Sequence, residues 1–356
     1  MNNKILLAAA VAVACGAPVA AMADANIYGQ FRYSLNSMDA DKGAGAALSG
    51  QDNVSLFGLK AESEGDGIKA FIHLQTGANA DGDGASSTTT TYTDSAGDTV
   101  DVTNTTDGGR AFAQRFYFGG LKGGFGTVAY GRMSTSYKMV GFKMDPFYNL
   151  THVGANGQLS KSLATYGLSA ANNGFTDNAL QYTSNAMAGV TVNVGLYVDD
   201  GDQDNHGTAA GVAYSKDGIT AGVQFIASDA SPTVAKLGVD NDAMRIHGGY
   251  KADSWSVDAS FETVSSNAGA DDKSYMFLVG KYNVSKETQI AMTIGTVGDD
   301  NNGADEGTGF TLGAFQTVAP KTQVYASYST ASLDNITTAD SGADPSVFSL
   351  GAIHKF

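Results

Sequence analysis

The sequence lacks most of what marks a soluble enzyme. It holds one cysteine, Cys15, in 356 residues, so no disulfide framework exists. Proline is scarce, at 5 residues against 45 glycines. Past the N-terminus no apolar run approaches about 18 residues, which excludes a transmembrane helix. No long segment repeats its apolar residues every 3.6 positions, as a helical or α/β protein requires. Positive charge is in deficit, with 21 Lys and Arg against 36 Asp and Glu and a net charge of −15, so a basic face for nucleic acid is not available. Five histidines, His73, His152, His206, His247 and His354, make no metal-ligand spacing and no evident triad. Asp81-Gly82-Asp83-Gly84 lacks the nine-residue period of calcium-binding repeats. Neither an enzyme nor a cofactor is expected.

What is present begins with an export signal. Lys4 supplies a positive start, Ile5 to Ala14 an apolar run, and Ala21-Met22-Ala23 a small-x-small cleavage site. Residues 1–23 are therefore expected to be removed, leaving a mature chain from Asp24 with no cysteine. A buried N-terminal helix is the bland alternative. Lipidation at Cys15 is another, but that processing favours a large aliphatic residue three positions earlier, where Ala12 stands.

Residues 24–356 are rich in 16 Tyr and 17 Phe and alternate apolar and polar side chains over segments of about ten residues. In Ser254–Val264, Trp255, Val257, Ala259 and Phe261 fall on one face and Ser256, Asp258, Ser260 and Glu262 on the other. The same two-residue period runs through Val190–Val198, Ile219–Phe225, Arg245–Ala252 and Ile68–Gln75. Successive strand side chains point to opposite faces, so each segment has one apolar and one polar surface.

Alternation also suits a soluble β-sandwich, but the connections are regular. Tight links at 64–66, 122–124, 186–188, 216–218, 252–254, 284–286 and 319–321 alternate with long polar ones at 38–51, 77–109, 133–177, 199–206, 229–242, 265–271, 298–307 and 332–345. Eight loops and seven turns join sixteen strands. An even number of antiparallel strands, with short turns at one end and long loops at the other, is the plan of an outer-membrane barrel. Closure pairs every backbone group without leaving an edge in hydrocarbon. Tyr28, Phe116, Phe118, Tyr197, Tyr250, Trp255, Phe261, Tyr275, Tyr282 and Tyr328, near strand ends, are expected to form the interfacial aromatic girdle.

Short motifs then resemble the general diffusion porins of Gram-negative bacteria. Asn26-Ile27-Tyr28-Gly29 resembles that family's first strand, Gly58-Leu59-Lys60 its second, and Arg115–Leu121 with Gly126–Arg132 its fourth and fifth. Asn178–Tyr182 resembles the strand after the third loop, and Val347–Phe356 the C-terminal strand read by the barrel assembly machinery, with His354 departing from the usual apolar residue. The resemblance implies an all-β, sixteen-stranded antiparallel transmembrane β-barrel with an inward-folded third loop. It also implies a homotrimer in outer-membrane lipid and lipopolysaccharide, passing small hydrophilic solutes and ions without a cofactor. A substrate-specific channel and a non-conducting adhesin or scaffold barrel are the alternatives.

The resemblance further implies a constriction between acids on the third loop, about Met133 to Asp177, and a basic cluster on the facing wall. Arg132 matches a wall arginine, Arg115 fits another lumen-facing position, and Arg32 lies where a basic residue is common; Leu56 and Gln181 stand where the family has further arginines. On the loop, Asp145 is the only acid between Met133 and Thr176 and shares the stretch with Lys138, Lys143 and Lys161. The expected constriction set is Arg32, Arg115, Arg132, Lys143 and Asp145. For Asp145 the alternative is a loop-capping carboxylate ahead of Pro146, and for Arg132 an ion pair anchoring the loop. Acidic loops such as Asp199–Asp204 and Asp299-Asp300 would form a vestibule giving a mild preference for cations.

Overall fold

Apolar residues at every second position become the outward face of a closed sheet. The computed structural model describes residues 25–39, 47–78, 87–93, 99–105, 112–150, 167–198, 206–229, 241–266, 272–299, 307–332 and 346–356. The expected signal segment, Cys15, Asp24, His152, Lys161 and the acidic run 199–204 lie outside them. The strands are β1 (Ala25–Asp39), β2 (Ala47–Asp52), β3 (Leu56–Gly65), β4 (Ile68–Ala78), β5 (Ser87–Thr93), β6 (Thr99–Thr105), β7 (Phe112–Gly123), β8 (Gly126–Met133), β9 (Thr176–Thr183), β10 (Val190–Val198), β11 (His206–Lys216), β12 (Ile219–Ser228), β13 (Asn241–Lys251), β14 (Trp255–Ser266), β15 (Lys273–Asn283), β16 (Thr288–Asp299), β17 (Gly307–Ala319), β18 (Thr322–Ser332) and β19 (Ser346–Lys355). β2 and β3 both pair with β1 and form one barrel strand, bent where Val54 takes φ 70°. With the β5–β6 hairpin standing apart, the barrel has sixteen antiparallel strands.

The barrel closes where β1 pairs with β19, from Gln30 opposite Lys355 to Asp39 opposite Ser346. Past the end of β19, Phe356 N donates to Gly29 O (3.1 Å) and Gly29 N to Phe356 O (3.4 Å). The Phe356 ring lies on Gly29, where a Cβ would come within 2.2 Å of it.

All seven expected turns occur between the strands they were expected to join. At Asp66-Gly67 and Asp217-Gly218 both central residues have positive φ (51° and 76°, 52° and 81°). That conformation matches the twist of a two-residue hairpin and is one that Asp-Gly adopts readily. Two long connections hold more structure than expected. β2 forms inside 38–51, and the Thr-rich hairpin β5–β6 forms inside 77–109.

The faces are inverted relative to a soluble protein. Val257, Phe261, Ile246 and Leu278 are exposed outward, where lipid meets them, whereas Ser260, Glu262, Thr293 and Ser349 are buried on the lumen side. The girdle expectation needs correction for half its members. Tyr250, Trp255, Phe261, Tyr282 and Tyr328 are outward and exposed. Tyr28, Phe116, Phe118, Tyr197 and Tyr275 instead belong to the lumen face: Tyr275 stands opposite Glu262, and Tyr197 is 1% exposed. Proximity to a strand end does not fix the side; register does.

The third connection folds into the barrel. It carries α1 (Ser136–Met144), capped where Thr135 Oγ1 accepts from Lys138 N at 3.1 Å. Tyr137 packs among Tyr197, Ala209, Ile226 and Ala243 on the lumen side of β10–β13. Met144 and Leu168 cover Phe277 and Val279 of β15, and Phe147 with Leu150 covers Ala291, Phe315, Tyr325 and Ile353. Full burial of a Phe or Leu contributes roughly 1.5–3 kcal/mol. These anchors explain why a loop rich in apolar residues lies inside rather than outside.

Candidate pore constriction

One polar knot fixes the loop against the wall. Arg245 of β13 and Glu262 of β14 stand opposite each other in register and form an ion pair of 3.1 Å, both side chains fully buried. Arg245 Nη1 donates to Tyr137 O (3.0 Å), and its Nη2 donates to Asn172 Oδ1. The guanidinium lies 4.2 Å from the Tyr137 ring centroid. Glu262 accepts from Tyr137 OH (2.8 Å), Ser169 N (3.3 Å), Ser169 Oγ and Asn172 Nδ2 (3.2 Å). Both arms of the loop, 135–145 and 169–172, are thereby tied to one carboxylate. A buried pair of charges is tolerated only with this degree of satisfaction.

The five expected residues are not gathered in one place. Asp145 is 4% exposed, and its Oδ1 accepts from Phe147 N at 2.8 Å, making it a turn-capping carboxylate after α1. Burial pushes its pKa up to about 7, against the opposing effects of the Phe147 N–H and the nearby Lys281. Burial also raises the Tyr148 phenol. Arg132 pairs with Asp177 at 2.7 Å, where the loop returns to β9, and stands opposite the exposed Tyr117 in register. Lys143 is exposed on α1, beside Phe142 and away from the buried Tyr137, Lys138, Gly141 and Met144. Arg115 reaches the lumen, its Nε donating to Gln75 Oε1 at 2.8 Å. Arg32 on β1 lies close enough to Arg115 for the two charges to interact. Arg115 and Arg132 converge on the ring of Phe175, their guanidinium carbons 4.8 and 5.6 Å from its centroid, with Lys138 Nζ at 4.1 Å, whereas Asp145 and Lys143 stand apart from them.

That wall carries a group the sequence reading missed as a unit. Lumen-side Phe71 and His73 of β4 meet Phe116 and Phe118 of β7, with centroids 4.8 Å apart for His73–Phe116, 5.2 Å for His73–Phe118 and 6.2 Å for Phe71–Phe118. Phe175, from the returning loop, sits 5.3 Å from Phe116. Tyr28 bonds His73 Nε2 (2.5 Å) and accepts from Gln75 Nε2 (2.8 Å). Gly58 makes room for it, because a Cβ there would lie 2.4 Å from Tyr28 Cζ. Part of the signal was available, since Phe71 and His73, like Phe116 and Phe118, are spaced by two; the register that joins the two pairs lies across the long 77–109 connection and was not. The Arg245–Glu262 pair was legible, by counting outward from the 252–254 turn.

A family model described as Gram-negative porin matches residues 8–336. No curated protein matches the chain. Among solved structures, the anion-selective porin from Comamonas acidovorans shares 15% identity, with a TM-score of 0.69 over 94% of this chain and 99% of that one. OmpT of Vibrio cholerae in its trimer form shares 17% identity (TM-score 0.64; 94% and 99% covered). OmpF of Salmonella typhi in complex with daunomycin shares 14% (TM-score 0.64; 93% and 97% covered). At these identities the structures speak for the fold, and the family model speaks for descent. The chain forms an outer-membrane channel and belongs to the Gram-negative porin family.

Proposed function

We propose that the protein is a homotrimeric diffusion pore for small hydrophilic solutes and ions, exported after loss of residues 1–23. The observation that carries the reading is the lumen itself. The third loop packs against the wall from β8 round to β19, and the aromatic side chains of β4 and β7 beyond it keep part of their area exposed. At sixteen strands a barrel is too wide for side chains alone to fill. For the trimer, the support is a shallow apolar groove on the outward face of β17, β18, β19 and β1. Ala314, Ala326 and Ala352 floor it and Phe31, Leu35, Val324 and Leu350 rim it, a seat for a second copy.

Two charge patterns compete over selectivity. Acidic external loops favour cations, as the sequence suggested. Around the loop, Arg32, Arg115, Lys60 and Lys143 have no ion-pair partner among the described residues, and the two acids that meet the loop, Asp145 and Glu262, are buried. Charge at the narrowest, low-dielectric section acts most strongly on a passing ion. The second reading is therefore a mild anion preference. Single-channel recording of the purified protein in a KCl gradient tests both. Large ohmic steps in groups of three are expected, with a reversal potential of anionic sign. A cationic sign would return selectivity to the loops, and a folded barrel that does not conduct would overturn the pore.

A further inference from the structure

We propose that the partly exposed aromatic wall of β4 and β7 is a binding subsite for aromatic carboxylates, solutes with a flat apolar body and one negative end. This deepens the diffusion-pore reading and rests on it. A passage for hydrophilic solutes alone has no use for partly exposed aromatic rings. Yet Tyr28, Phe71, His73, Phe116, Phe118 and Phe175 keep part of their area open at the lumen surface, although Phe71, Phe116 and Phe118 pack on one side against the core around Tyr137 and Phe175 is flanked by Arg115, Arg132 and Lys138. Other large apolar side chains on the lumen side, such as Phe277 and Phe315, are buried beneath the third loop. Phe116 and Phe118 meet nearly at right angles (87°, 5.7 Å), so the face of one and the edge of the other are presented together. An incoming ring finds offset and edge-on partners in that corner.

The charge stands beside the rings. The Arg115 guanidinium lies 4.8 Å from the Phe175 centroid, and Lys60 Nζ lies 5.1 Å from that of Tyr28. Arg115 Nε is occupied by Gln75, whose amide donates to Tyr28, whose hydroxyl bonds His73. This chain holds the guanidinium plane still and leaves its two terminal nitrogens, which have no carboxylate partner among the described residues, for end-on bidentate contact. Below the patch, toward the turns, Glu62 stands opposite Phe71 and would repel a carboxylate there. The anionic end is thus directed to the Arg115 level and the ring to the Phe116–Phe118 corner. Weak binding suits transport, since a solute that binds tightly does not leave.

The test is block of KCl current in planar bilayers by benzoate, acetate, benzyl alcohol and benzylamine. Benzoate is expected to block partially in the millimolar range, at least fivefold more strongly than acetate, which lacks the ring, or benzyl alcohol, which lacks the charge. Benzylamine, of opposite charge, is expected to block least. Phe116→Leu should weaken benzoate block at least fivefold while leaving acetate block as it was; Phe118→Leu serves if the first variant does not assemble. Equal block by benzoate and acetate in a conducting channel would overturn the subsite and leave the pore standing. Absence of KCl current would instead sink the pore reading beneath it.

Discussion

The two sides of the lumen are built on opposite principles. Along β10–β15 the wall is packed: Tyr137, Leu168, Phe277 and Ile226 are buried, and the terminal nitrogens of Arg245 and both oxygens of Glu262 bond to the loop. Along β1, β3, β4 and β7 the wall is less complete, with rings partly exposed and, among the described residues, no ion pair at Arg115 or Lys60. The Arg245–Glu262 pair is buried and held by the loop, which puts it out of a solute's reach. On the other side Lys60 and Arg115 stand beside partly exposed rings.

Breaking the packed side should have the largest effect. Glu262→Ala leaves Arg245 buried and unpaired, a loss of roughly 3–5 kcal/mol. The loop should detach, raising single-channel conductance and current noise, with a lowered thermal midpoint of the folded barrel as a second readout. The next largest effect is pH-dependent. Because burial raises Asp145 to about 7, the folded protein holds this proton where an unfolded chain has lost it. Its stabilising contribution is full below the ordinary carboxylate range and falls as pH rises through about 7. Thermal stability should drop from pH 5 to pH 8 by a few kcal/mol at most, and Asp145→Asn should flatten that slope; an unchanged slope would remove Asp145 as its source.

Smaller changes sharpen the contrast. Tyr137→Phe removes one donor to Glu262 but keeps the packing, so about 1 kcal/mol should be lost with conductance nearly unchanged. Arg132→Gln should be smallest of all, since its pair with Asp177 is solvent-accessible, and exposed pairs contribute about 1 kcal/mol or less. A large change in reversal potential in Arg132→Gln would show that this arginine selects ions rather than fastening the loop.

The architecture was largely readable because one rule, alternation, governs every strand, and because turns and loops alternate without exception. The Ser254–Val264 segment shows it, with each parity assignment kept. Side-specific detail was harder. Phe116 and Phe118 sit near a strand end and pass for interfacial residues until their register with Phe71 and His73 is known. The bulge between Gln75 and Thr76 also shifts the pairing of β4 with β7, which no spacing in the sequence announces. Asp145 stood out as the loop's lone acid, yet whether such a carboxylate faces water or caps a turn depends on how Phe147 packs beyond Pro146. Arg245 and Glu262 were visible as lumen positions. Their shared role required knowing that Asn172 and Ser169, some 90 residues away in sequence from Glu262, arrive at the same point.

The seam between β1 and β19 sets a condition on the order of events. β1 emerges first and waits for its partner until the last residue of the chain, Phe356, is in place against Gly29. Until then the sheet has two open edges, each able to pair with a foreign strand. Contacts spanning nearly the whole sequence are also the slowest to find. Closure of the cylinder therefore waits on β19, whose pairing with β1 removes both edges at once and seats the Phe356 ring on Gly29.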